Sequence, residues 1–444
     1  MENIVRKKAF VMHMLLCLSV ALLAGLFLTR VVRLVKLPDV TAYLIAGILV
    51  GPYLLGALGV PGLGFNSMEQ IETYGLLSDL ALGFIAFSIG DEFRLSDLKH
   101  IGRQAAVVGV AQAVVTTLLV DAALIGLHFL MPDKLPLPAA VILGAVASAT
   151  APAATLMVVR QYKAKGPLTD ILLPIVALDD AVGLVLFAVS FGVAKAMLSG
   201  RVDLLSVILE PLLEVVLSLG LGALLGALFA YSEQFYHSRS KRQAVSVTFV
   251  MLAVGLSMLQ FNVGGVHVAF SSLLTCMMLG TVFCNMCDFS LELMARMDRW
   301  TAPLYVLFFV LSGAELELSV FRDTYVVLIG LVYIAMRCLG KYFGASLSSR
   351  SVGCAPGIVK YLGITLFPQA GVALGMAMKA ETLGAEGAIV ANITLFSVLI
   401  YELIGPYLTR EALHAAGEIQ VEGATSARGE VIYYHWRQRH YHSK

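Results

Sequence analysis

The sequence predicts an all-α membrane protein of about thirteen transmembrane helices, and three observations lead there. The 444-residue chain is 59% hydrophobic and 14% charged, against about 25% charged residues in a typical soluble domain. The shortage of charge is spread along the chain rather than gathered in one segment. Apolar stretches of roughly 20 residues, the length that crosses the hydrocarbon core, recur throughout.

Taken in order, the spans fall at about 9–32, 37–58, 72–90, 103–131, 137–159, 168–197, 205–232, 243–260, 264–285, 301–317, 325–348, 357–380 and 387–409. Arg6, Lys7 and Lys8 ahead of the first apolar run resemble the start of a signal peptide. The run itself, Phe10 to Thr29, is longer than a signal h-region and reads as a retained helix. A polar tail follows from Glu411 to Lys444. Residues 1–410 therefore form one membrane domain and 411–444 a short cytoplasmic tail.

Basic residues alternate between connections, with Arg160/Lys163/Lys165 and Arg239/Lys241/Arg242 on the heavily basic side. Cytoplasmic loops carry the excess of Lys and Arg. The bias predicts the N-terminus outside and the C-terminus in the cytoplasm, and the cell inner (plasma) membrane is the expected location. Lys plus Arg (31) nearly balances Asp plus Glu (30). No basic patch suggests a nucleic-acid partner, and lipid is the expected surroundings. The six cysteines are scattered; Cys284 and Cys287 form a C-x-x-C beside Asp288, too few ligands for a zinc site that usually takes four.

Two spans look broken. Span five reads Ala147-Ser148-Ala149-Thr150-Ala151-Pro152-Ala153, and span twelve reads Phe367-Pro368-Gln369-Ala370-Gly371. Proline there removes a backbone donor and clashes with the preceding turn. Broken helix at membrane depth is tolerated where it is buried or lines a cavity. The two breaks are seven spans apart, so they lie in helices of opposite direction. That is the pattern of an inverted-topology repeat with a transport site at its centre.

Span six carries two adjacent carboxylates, Asp179 and Asp180, in the run Leu172-Leu173-Pro174-Ile175-Val176-Ala177-Leu178 and Ala181-Val182-Gly183. A charge inside a span costs several kcal/mol, so it marks function by default. Neighbouring helix positions point about 100° apart. One aspartate can therefore pair with a cation while the other faces a cavity. Arg337 and Lys341 in span eleven are the deeply placed basic residues and share one helix face. Lys341 lies between Gly340 and Gly344, which allows another helix to approach closely. Either cation can serve as partner to Asp179. Such a site can hold a monovalent cation or a proton in competition, and Thr150 at the break offers a hydroxyl oxygen.

These residues, together with Leu37-Pro38-Asp39 through Gly51-Pro52 in span two, resemble the monovalent cation:proton antiporter superfamily. The resemblance is to its bacterial sodium/proton branch with a paired-aspartate motif, close to the membrane domains of Kef and Nap types. Its carriers are Ser148-Ala149-Thr150, Asp179-Asp180, Gly340-Lys341-x-x-Gly344 and Pro368-Gln369-Ala370-Gly371, in the expected order. The resemblance implies two broken helices that cross. It implies a mobile core (about 103–197 and 301–409), a dimerisation scaffold (about 9–58 and 205–285), a homodimer and elevator-type alternating access.

By the same resemblance Asp180 is the main cation- and proton-binding carboxylate, and Asp179 pairs with Lys341 when the site holds protons. Paired-aspartate members are typically electrogenic Na⁺/H⁺ exchangers. No cofactor is expected beyond the transported Na⁺, or another monovalent cation, and H⁺. Some relatives have an aspartate where this chain has Ala151, so one negative charge near the broken-helix ends is missing here. K⁺/H⁺ exchange and sodium-coupled symport are the alternatives. An intramembrane aspartyl protease is disfavoured, because neighbouring positions on one helix diverge too far to share a water. Asp79, Asp121 and Glu402 read as helix-end or cavity residues, Glu210 and Glu214 as a solvated edge, and His435, His440 and His442 as part of a tail near anionic lipid.

Overall fold

The computed structural model describes residues 2–419, apart from 33, 35–36, 91–92, 94, 200–203, 264–265 and 317. The helices are α1 (Glu2–Val32), α2 (Asp39–Val50), α3 (Met68–Glu72), α4 (Gly75–Gly90), α5 (Leu95–Leu130), α6 (Leu137–Val146), α7 (Pro152–Gln161), α8 (Pro167–Ser199), α9 (Leu204–Glu233) and α10 (Arg239–Ser257). They continue as α11 (Ser272–Met286), α12 (Ser290–Glu315), α13 (Thr324–Ser351), α14 (Pro356–Thr365), α15 (Gly371–Ala380) and α16 (Ala385–Ala415). Among the described residues six are long and apolar enough, by length and composition, to cross a membrane: those containing Met12–Val32, Gly102–Leu130, Pro167–Leu198, Leu212–Glu233, Thr324–Ser351 and Ala385–Ala415. Large apolar side chains such as Leu23, Phe27, Leu118, Leu224 and Leu331 point outward from them, as a lipid-facing surface requires.

The helices form two bundles. α5, α6, α8, α13, α14, α15 and α16 pack together, and α1, α2, α4, α9, α10, α11 and α12 form the second group. Glycines set the closest crossings. A Cβ on Gly47 would lie 2.1 Å from the Val310 carbonyl oxygen, and one on Gly313 would lie 2.2 Å from that of Leu44. α2 and α12 therefore touch backbone to backbone. Gly340 and Gly344 do the same for α13 against Thr116 and Gln112 of α5, the approach that the sequence suggested.

Several expectations shift at their edges. A hairpin of β1 (Phe261–Val263) and β2 (Val266–Val268), paired antiparallel, occupies the region where span nine was expected to begin. α11 starts later, at Ser272. α12 starts at Ser290, not near 301: Glu292 and Arg296 form an i,i+4 pair at 2.6 Å that sustains helix beyond the apolar run. Residues 301–315 pack in α12 against α2, α4 and α1, whereas the sequence grouped them with the core helices. α16 runs on through Glu411 to Ala415, so the tail begins later than Glu411. The tail histidines and the side chain of Glu210 lie outside the described residues.

One connection ties the segment just after α16 to the helix that carries the aspartates. Glu418 accepts hydrogen bonds from the backbone N–H of Leu168 (2.6 Å) and Thr169 (2.8 Å) and from the Thr169 hydroxyl (2.7 Å). It thus caps the N-terminus of α8, where orphan donors and the helix dipole favour a carboxylate. Glu418→Ala is expected to cost about 1–2 kcal/mol, as loss of a helix cap does. Thermal unfolding of the purified protein checks this; an unchanged melting temperature would contradict the capping role.

Candidate functional site

The two breaks meet in the middle of the first bundle. α6 ends at Val146 and α7 begins at Pro152, whose missing N–H costs nothing at a first helical position. α14 ends at Thr365 and α15 begins at Gly371. The unwound strands touch: the Ala151 N–H donates to the Pro368 carbonyl at 2.9 Å. The Gln369 amide donates to the Val146 carbonyl at 2.9 Å and to the Tyr333 hydroxyl at 3.0 Å.

Breaking a helix in an apolar environment frees carbonyls that must find donors. Arg337 supplies three. It donates to the carbonyls of Ala147 (2.9 Å), Ala149 (2.6 Å) and Phe367 (2.7 Å), and its guanidinium stacks over the Tyr401 ring at 4.4 Å. It therefore clamps the negative C-terminal ends of both α6 and α14. Lys341 takes a further carbonyl, that of Ser148, at 2.6 Å.

Lys341 also forms an ion pair with Asp179 at 2.9 Å, both side chains wholly enclosed. Its ammonium donates to the Thr150 hydroxyl (2.9 Å) and the Gln112 carbonyl oxygen (2.9 Å). Asp179 is closed in by the Thr150 hydroxyl, at 2.5 Å, and by the Gln112 amide. The alternative left open by the sequence thus resolves in position: Lys341 sits on Asp179, and Arg337 on backbone. Ser148 bonds its own helix end through Ala145, Pro152 starts α7, and Pro368 accepts from the opposite break.

Asp180 is different. It is 1% exposed, and neither carboxylate oxygen has a hydrogen-bond partner among the described residues. It lines a cavity of about 270 Å³ between the two bundles, with Phe187, Val372, Met376 and Lys379 on one side and Glu214 and Ser271 on the other. The divergence expected of adjacent helix positions is present: one carboxylate is neutralised by lysine, and its neighbour is left open to a cavity.

Gln112 and the ring pair Tyr333 and Tyr401 did not stand out in the sequence. Gln112 had a readable signal, a lone amide between Ala111 and Ala113 in an apolar run. Thr150 bonds Asp179 and Lys341 rather than facing Asp180. Glu402 proves to be 7% exposed with one carboxylate oxygen unpartnered. Cys284 donates weakly to the carbonyls of Thr281 and Gly90. Among the described residues no three histidines, cysteines or acids gather as a metal cluster.

Residues 18–413 match the model of the sodium/hydrogen exchanger transmembrane family. The chain is 26% identical over 365 residues to the Na⁺/H⁺ antiporter NhaS4 of Synechocystis, covering 79% of this chain and 84% of that one. Its fold is similar to two structures of the sodium proton antiporter MjNhaP1 from Methanocaldococcus jannaschii. One, at pH 8, has a TM-score of 0.63 at 19% identity and covers 92% of this chain and 96% of that one. The other, from electron microscopy, has a TM-score of 0.67 at 18% identity and covers 90% and 94%. With a matched model that spans nearly the whole membrane part, the chain belongs to the sodium/hydrogen exchanger family: it is an all-α, multi-pass membrane transporter that exchanges cations for protons, not an enzyme.

Proposed function

We propose that the protein exchanges Na⁺ for H⁺ at Asp180, electrogenically and by elevator-type alternating access. The single observation that carries this reading is the enclosed, unpartnered Asp180 carboxylate at a cavity between the bundles. A carboxylate withdrawn from water needs a proton or a cation. No described side chain hydrogen-bonds Asp180, so it takes one or the other from the cavity. Sodium arrival releases the Asp180 proton and draws Asp179 away from Lys341, whose own proton then leaves. Two protons for one Na⁺ moves one net charge, worth about 2.3 kcal/mol per 100 mV.

The sidedness of the fold supports alternation. The cavity beside Asp180 is lined by Ser271 and Lys379, near the face opposite the basic loops. On the basic face the bundles are joined: Arg160 meets Asp298 at 2.6 Å, and Gln161 accepts from the Asp39 N–H at 2.8 Å. With the basic face cytoplasmic and the N-terminus outside, this is an outward-open, inward-closed arrangement. The bundle of α5–α8 and α13–α16 moves with its cargo as an inverted repeat. The other bundle forms the scaffold, through which two copies pair as a homodimer in the inner membrane.

The test is dequenching of a pH-sensitive dye in everted vesicles, titrated with Na⁺, K⁺ and Li⁺ across pH and membrane potential. Proton competition at Asp180 requires the apparent KM for Na⁺ to rise as pH falls. K⁺-driven dequenching without a Na⁺ response would replace sodium by potassium in this reading. Lys341→Ala is expected to leave a slower exchanger whose pH profile is flattened and whose voltage dependence is lost. An unaltered pH profile and voltage response in that variant would remove Lys341 from the proton pathway.

A further inference from the structure

A second cavity, of about 150 Å³, lies between the bundles beside the first. Leu273 and Val372 belong to the walls of both. Its lining is apolar except for four oxygen-bearing side chains: Ser78 of α4, Ser312 and Glu315 of α12, and Glu402 of α16. Among the described residues no lysine, arginine or histidine lines it. Glu402 is 7% exposed, and among the same residues its Oε2 has no hydrogen-bond partner; the Ser78 hydroxyl, from the opposite bundle, is buried and equally unpartnered there. Two orphaned oxygens on opposite walls of one cavity require an explanation.

Ligand chemistry supplies it. Glu315 and Glu402, from opposite bundles, line the same cavity, and no basic side chain among its described lining residues pairs with them. Ala151, Pro152 and Ala370, at the starts of α7 and α15, complete the floor. Oxygen-only ligands suit hard cations. A water's share of liquid volume is about 30 Å³, so the space admits a cation that keeps some of its hydration. No three acids, histidines or cysteines converge there among the described residues, which favours loose capture of a monovalent ion over a resident divalent one.

We propose that Glu402, Glu315, Ser78 and Ser312 form a waiting site for the alkali cation on its way to Asp180. This role rests on the assignment of Asp180 as the transport carboxylate, but binding at the waiting site can be measured without it. Leu273 and Val372, which line both cavities, lie on the way from Glu402 to Asp180.

The test is equilibrium binding of ²²Na⁺ to the purified full-length protein in detergent. Asp180→Asn is expected to keep a saturable sodium site, and Asp180→Asn with Glu402→Gln to lose it. In reconstituted exchange, Glu402→Gln should raise the apparent KM for Na⁺ several-fold with kcat largely kept. Glu315→Gln, at the exposed mouth and safe for folding, should raise it in the same direction. The proposal is overturned if Asp180→Asn protein binds no sodium, if the double variant binds as much as the single one, or if Glu315→Gln leaves KM unchanged. Continued exchange by Asp180→Asn would instead overturn the assignment of Asp180.

Discussion

Asp180→Asn is expected to abolish cation-driven proton movement while leaving the protein folded. The asparagine amide is nearly isosteric, and the natural carboxylate has no hydrogen-bond partner to lose. Folding therefore has little reason to suffer. Transport does, because the amide carries neither charge nor a titratable proton. Two unit charges about 4 Å apart at an effective dielectric constant near 20 interact by about 4 kcal/mol. That corresponds to roughly a thousandfold in affinity. Dye dequenching in proteoliposomes should fall to the level of empty vesicles, with a normal melting temperature. Asp179→Asn should behave differently: it breaks the enclosed pair with Lys341, so it should lower stability as well as transport.

Arg337→Met is expected to produce the largest loss of stability among single substitutions in the bundle. The methionine fills similar volume but leaves the carbonyls of Ala147, Ala149 and Phe367 without the donors they have now. An enclosed polar group that loses its partner costs about 1–3 kcal/mol. Three such losses amount to several kcal/mol even after local rearrangement. The two half-helix ends would also lose the positive charge between them. Arg337→Lys should rescue only part of the loss, because one ammonium cannot reach three carbonyls set in different directions. Thermal unfolding in detergent is the check. A melting temperature for Arg337→Met equal to that of the natural chain would show that the breaks do not depend on this clamp.

Much of this was legible in the sequence because membrane burial makes polar residues conspicuous. Asp179, Asp180, Arg337 and Lys341 interrupt apolar runs, and so do the two proline-containing breaks. Their divergence and facing follow from helix geometry alone. The glycines flanking Lys341 announced a close neighbour, though not that it would be α5 bringing Gln112. The choice between Arg337 and Lys341 was not readable from helix position, since both lie on one helix face, and only the family resemblance pointed to Lys341. It is decided by reach: Arg337 meets the ends of α6 and α14, and Lys341, one turn on, meets Asp179.

Boundaries were least legible where charge and helix part company. Glu292, Arg296, Asp298 and Arg299 end an apolar window but not α12. The short hairpin at 261–268 is apolar enough to pass for the start of a span. Glu402 showed its residue type in the sequence, but its cavity depends on which side of the interface α16 presents to α4 and α12. That is a matter of packing between distant segments, which no local pattern encodes.

The most direct measurement is proton release on sodium addition to the purified protein in weakly buffered detergent, followed by pH electrode alongside ²²Na⁺ binding. If Asp180 exchanges one ion for the other, sodium binding to the natural chain releases protons, and Asp180→Asn releases far fewer for each sodium bound. Sodium binding without proton release, or equal release by Asp180→Asn, would contradict exchange at this carboxylate.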